Sequence, residues 1–277
     1  MQLRPEKAQY KSMPIGSCRV RQLLIRAGKD LGLTVDVSSQ YALIYNTKEI
    51  LQQIRHMAGD FTIPLAARRF LDHTKTDWVD TGSAFSAETY FVEISNPTIM
   101  AWNGVFLAQN AVCSVLAQAG AQAIWQILWH GRWDDERALR REIQASPEFA
   151  QLPPDLRDFL TSITVSVQTP GELLADMRSI LDLLGAEKVV FLSKATGAKT
   201  NGLLPRERQQ FIREIRDCAD ELGAVFFDPT PMLHAFGQER AFADGGLDVS
   251  HYTPEFESRL LEVLVAPYLA SGASRAA

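Results

Sequence analysis

Continuous apolar runs alternate along the chain with stretches in which apolar residues recur every three or four positions. Residues 12–15 form a short strand candidate, and a helix is predicted from about 19 to 31. Residues 41–45 fit a strand or a turn. Thr47 then reads as a helix N-cap, because Ile50, Leu51, Ile54 and Met57 follow at helical spacing. The run 88–95 (ETYFVEIS) is β-rich and stops at Asn96-Pro97. Two later runs, 187–193 (EKVVFLS) and 224–228 (AVFFD), each follow an amphipathic helix, at about 171–184 and 205–222. Uninterrupted apolar strands between amphipathic helices are the pattern of buried parallel strands. The expected fold is therefore α/β, a doubly wound, flavodoxin-like parallel sheet. A last helix is predicted from Pro254 to about 269, with the proline in its first turn.

The segment 98–160 breaks this rhythm. It is mostly helical by pattern and holds Trp102, Trp125, Trp129 and Trp133, four of the five tryptophans. It is expected to be a helical insertion in one domain spanning 1–270, either a lid over the sheet edge or a hairpin buried in the core. The tail 271–277 is expected to be disordered. The apolar tract 111–129 carries Gln118, Gln122 and Gln126 at four-residue spacing, which marks an amphipathic or buried helix rather than a membrane span.

The 277 residues are 46% hydrophobic and 22% charged, enough for a real core, with a net charge of −5. An acidic balance argues against a nucleic-acid partner. The polar start, 1–11, lacks the apolar stretch of a signal peptide, and three widely spaced cysteines suit a reducing cytoplasm. The histidines show no metal-ligand spacing. Lys199-Thr200 lacks the rest of a P-loop, and no dinucleotide fingerprint follows a strand. No cofactor or metal is expected.

Chemistry concentrates near the two ends. Gly16-Ser17-Cys18 places a thiol where the first strand gives way to a helix, and a helix N-terminus flanked by Arg19 and Arg21 is expected to favour thiolate. The bland alternative is a small buried hydrophobe. Asp248-Val249-Ser250-His251 offers a carboxylate that can fix the tautomer of an imidazole base, or else a turn-rich surface loop.

These blocks resemble the SGNH/GDSL hydrolase superfamily, with Cys18 standing where the family nucleophilic serine stands. The substitution resembles the GSCFA branch and the WcbI group of capsule-biosynthesis proteins. Tyr45-Asn46 matches the branch's Tyr-Asn-Pro segment, and 250–256 (SHYTPEF) resembles the passage from the family histidine into the last helix. Position 19 is Arg rather than Phe, and the block-two glycine falls nearest Ala42. The resemblance implies acyl transfer or ester or thioester hydrolysis through Cys18, His251 and Asp248. Oxyanion donors would come from the backbone of Cys18 and from Asn96 or Asn46, with Asn103 a rival. Arg19 would contact an anionic substrate group. Acyl-CoA is the co-substrate implied by the WcbI likeness, with a carbohydrate or small metabolite as acceptor. A Ser17-dependent esterase and a non-catalytic ligand-binding module on the same fold are the alternatives.

Overall fold

A computed structural model describes residues 10–37, 40–72, 86–130, 135–197 and 205–265. Its strands in chain order are β1 (Lys11–Ile15), β2 (Thr34–Val35), β3 (Thr89–Ile94), β4 (Thr98–Trp102), β5 (Val105–Phe106), β6 (Thr164–Val167), β7 (Val189–Ser193), β8 (Val225–Phe227), β9 (Phe242–Ala243) and β10 (Asp248–Tyr252). The helices are α1 (Cys18–Leu31), α2 (Thr47–Ala58), α3 (Leu65–Arg68), α4 (Gln109–Gln118), α5 (Gln122–His130), α6 (Glu136–Ala145), α7 (Pro154–Ser162), α8 (Pro170–Leu184), α9 (Arg206–Glu221), α10 (Thr230–Phe236), α11 (Gln238–Ala241) and α12 (Pro254–Leu260). The chain divides into two compact units. One is Met1–Ser38 with Phe85–Ser95 and Leu173–Ala277, the other Ser39–Ala84 with Asn96–Glu172.

The first unit holds the expected parallel sheet, in the order β2-β1-β3-β7-β8. Taken in chain order those five strands run 2-1-3-4-5, the flavodoxin-like arrangement. The three strands at its centre are buried almost throughout because side chains on both faces are covered. On one face Phe91, Val190 and Leu192 meet the apolar stripe of α1 (Val20, Leu23, Leu24) together with Phe256 and Leu260 of α12. A parallel sheet of this order reverses its winding direction between β1 and β3, and loops at the carboxyl ends of those strands diverge to leave a crevice. Ser17 and Cys18 follow β1, and Glu93 is the penultimate residue of β3.

The second unit is built differently from the helical insertion expected at 98–160. It holds an antiparallel sheet, β5-β4-β6, whose β4–β5 hairpin turns at Asn103 (φ 49°) and Gly104 (φ 77°). Asn-Gly suits that turn because both central residues take positive φ. The apolar tract 111–129 is not one helix, since α4 and α5 part at Gly120 (φ 75°). Residues 41–45 take no strand pairing, and the N-cap of α2 is Asn46 rather than Thr47. Its side chain accepts from the N–H of Glu49 at 3.0 Å, and Glu49 in return accepts from the N–H of Tyr45 at 2.9 Å. Of the tryptophans, Trp102 lies edge-on to Phe70 and Phe159, which stack on each other at 3.8 Å, and Trp125 stacks on Trp129. Trp133 and the tail 271–277 lie outside the described residues.

Candidate active site

Ser17 starts α1. Its backbone is extended (φ −77°, ψ 175°), the non-helical conformation of an N-cap, and its hydroxyl accepts from the N–H of Arg19 at 3.3 Å. The same hydroxyl donates to the Oε2 of Glu93, which also accepts the backbone N–H of Ser17 at 3.0 Å. Ser17 is thus buried and held on both sides. Cys18 follows as the first helical residue and remains half-buried. Its position is fixed by close packing of Gly16 against β3, where an added Cβ would stand 2.7 Å from the Glu93 Cβ.

Glu93 is the residue that sequence reasoning passed over. It sits 3% exposed in a strand whose six residues are all buried. A buried carboxylate requires compensation, and Ser17 supplies two hydrogen bonds. Cations surround it as well: Arg19, Lys194 just after β7, and Arg208 of α9, which donates to the Ser95 carbonyl. Burial together with Arg19 pushes the Lys194 ammonium down to about 8, partly opposed by Glu93. The one signal available earlier was a charge inside an otherwise apolar strand.

These surroundings reverse the expectation for the thiol. Burial pushes Cys18 above its ordinary value and Glu93 adds to that, outweighing Arg19, Lys194 and the backbone hydrogen bond of the helix start. At neutral pH the group is therefore a thiol, and it needs a base to become a nucleophile.

Asp248 and His251 stand on β10, not on the loop expected for them. In a regular strand, residues three apart point to opposite faces. Here β10 pairs with β9 at Asp248↔Ala243 and again at Tyr252↔Phe242, so one step on β9 spans four on β10. The bulge bends the chain and re-aims side chains, and Nδ1 of His251 comes to 2.6 Å from Oδ2 of Asp248. His251 is half-exposed, with a side-chain exposure of 45%. Thr253 then caps α12, its hydroxyl accepting from the N–H of Phe256, with Pro254 as the first helical residue.

Arg19 departs from the expected substrate contact. It is 4% exposed, and its guanidinium turns into the protein, donating to Ala195 O at 2.9 Å, to Tyr252 Oη at 3.4 Å and to Val249 O. A cavity of about 20 Å³, lined in part by Arg19, Glu93, Ser193 and Tyr252, has room for about one water.

The asparagines expected as oxyanion donors belong to the second unit, where each has structural partners. Asn46 is fully buried and its amide donates to Glu49 and, at 2.9 Å, to Thr98 O. The Asn96 amide donates to Gln109 at 2.8 Å while its carbonyl accepts from Thr98 N at 3.1 Å. Asn103 makes the hairpin turn. Among the described residues no three His, Cys, Asp or Glu side chains are grouped to hold a metal ion, and no helix is long and apolar enough to cross a membrane.

A family model described as the TviD N-terminal domain matches residues 10–266. The chain is 24% identical over 269 residues to the Vi polysaccharide biosynthesis protein TviD of Salmonella typhi. That match covers 95% of this chain and 32% of the relative, so the chain spans about a third of the relative's length. No solved structure matches.

Proposed function

Since the chain belongs to the TviD N-terminal domain family, we propose that it is an acyl-transfer enzyme acting on a carbohydrate in polysaccharide biosynthesis, with Cys18 as nucleophile, His251 as base and Asp248 as orienter. The name of the relative supports the carbohydrate. The observation that carries the chemistry is the 2.6 Å contact between His251 Nδ1 and Asp248, made on a bulged strand that packs against the helix beginning at Cys18.

The contact leaves His251 Nε2 to take a proton. Because Cys18 rests as a thiol, its sulfur attacks the acyl carbonyl as the S–H proton passes to Nε2. The tetrahedral oxyanion is held by backbone N–H groups at the start of α1, that of Cys18 first among them. Collapse expels the leaving group, which takes the proton from His251, and the acyl group stays on sulfur as a thioester. An acceptor hydroxyl then gives its proton to Nε2, attacks the thioester and regenerates the thiol. Acyl-CoA is a suitable donor because the first step exchanges one thioester for another.

Ser17 fits the nucleophile's part less well, since its hydroxyl already donates to Glu93 and caps α1. The non-catalytic binding module has one observation in its favour, the upward displacement of the Cys18 thiol. Intact-mass measurement after brief exposure to acetyl-CoA or p-nitrophenyl acetate separates these readings. The relay requires an acyl adduct on Cys18 that is absent in Cys18→Ala and slowed at least 10²-fold in His251→Ala. Asp248→Asn should slow it by a comparable factor through the wrong tautomer. An adduct on Ser17 would support the esterase, and no adduct with any donor would support the binding module.

A further inference from the structure

We propose that Arg19 is a positioning residue that sets the spacing between nucleophile and base, a role that rests on the Cys18–His251–Asp248 relay above. Its backbone is one residue from Cys18. Its guanidinium reaches the carbonyl of Val249, which lies in the bulge between Asp248 and His251. A single side chain therefore joins the start of α1 to the segment that aims the imidazole.

The bulge explains why such a join is needed. Residues between the two paired positions of β10 leave the ladder, so the Val249 carbonyl needs a donor from elsewhere. Arg19 supplies it and at the same time holds Ala195 O, beyond the end of β7, at 2.9 Å. The hairpin grips the guanidinium in return. The carbon of that group lies 5.2 Å from the Phe242 ring centre and 4.9 Å from that of Tyr252, and Tyr252 Oη accepts at 3.4 Å. Phe242 is on β9 and Tyr252 on β10, so both strands of the hairpin are latched to one residue of α1.

The chemistry selects arginine. Three acceptors in different directions need a planar fork of donors, and two aromatic neighbours favour a weakly hydrated, delocalised cation. Lysine keeps the charge but has one tetrahedral ammonium to divide among acceptors that the fork meets separately. The charged groups around the join are Glu93 on β3, Lys194 after β7 and Arg208 on α9, with Asp248 facing His251 and Glu257 of α12 paired to Arg26. Arg19→Lys leaves that balance of charge intact and changes only the geometry.

The test uses the full chain, p-nitrophenyl acetate as acylating probe and the burst of p-nitrophenolate as readout. Arg19→Lys should retain a cooperative thermal transition, and its acylation rate should fall about 10²-fold, the scale set by a displacement of about 1 Å between reacting groups. The KM for the ester should be unchanged. A double variant, Arg19→Lys with His251→Ala, supplies the readout that a merely structural role would not move. If Arg19 acts by placing His251, the double variant acylates at the rate of His251→Ala alone. Wild-type acylation in Arg19→Lys overturns the proposal, and so do losses that multiply in the double variant. A burst of unchanged size in Cys18→Ala removes the relay itself and the positioning role with it. A dead Cys18→Ala beside a fully active Arg19→Lys removes only the positioning role.

Discussion

Gly16→Ala tests the packing on which the whole site rests. The new methyl carbon would stand 2.7 Å from the Glu93 Cβ, 3.1 Å from the Val20 Cγ1 and 3.2 Å from the Glu93 carbonyl oxygen. Two carbons settle at about 3.5–4.0 Å, so roughly 1 Å of movement is demanded. The Glu93 Cβ is the root of its side chain and cannot rotate away, and β3 is the middle strand of its sheet. The end of β1 must therefore yield. Overpacking of this kind costs about 1–3 kcal/mol, and each kcal/mol lowers the Tm of a chain near this size by about 2–4 °C. Cys18 lies two residues beyond, so a comparable displacement should slow its acylation about 10²-fold. Urea denaturation and the p-nitrophenolate burst measure the two effects on one sample. Gly171→Ala is the control: Gly171 lies in the first turn of α8 with nothing within 4 Å of its added carbon, and it should stabilise by about 0.5–1 kcal/mol. If Gly16→Ala matched wild type in both midpoint and burst, the close approach of β1 to Glu93 would be wrong.

Two further predictions concern single side chains. Ser17→Ala removes the cap of α1 and should cost about 1 kcal/mol in urea denaturation while acylation of Cys18 persists. Complete loss of the adduct in a folded Ser17→Ala protein would transfer the nucleophile's role to Ser17. Glu49 is buried, and burial pushes its carboxyl up to about 8 from an ordinary 4.5 despite hydrogen bonds from Tyr45 and Asn46. Its raised pKa contributes stability that is complete below the unfolded value and is lost as pH climbs through the folded one. The unfolding free energy from urea denaturation should therefore fall between about pH 5 and pH 8, by a few kcal/mol at most from a displacement of this size. Glu49→Gln cannot titrate and should flatten that decline; an unchanged slope would assign it to another group.

The local pattern of the sequence was sufficient for the parallel sheet. Continuous apolar runs at β7 and β8, each following an amphipathic helix, mark strands of a parallel sheet whose faces are covered, whereas the order 2-1-3-4-5 is set by pairing between strands distant in sequence. Gly16-Ser17-Cys18 was equally legible as a strand-to-helix turn, since Ser favours an N-cap. Other features depend on partners distant in sequence. Asp248 and His251 could be recognised as a pair, but only the bulge against β9 turns residues three apart toward each other. Composition also misled about electrostatics. Arg19 read as a substrate contact and Glu93 was given no role, yet folding buries both beside Cys18, where desolvation and the carboxylate raise the thiol that a helix start alone would lower. Periodicity is written into neighbouring residues and can be read from them. Burial, and the charge a buried group meets there, arises when β1, β3, β7 and β10 are brought together, so it belongs to the tertiary structure.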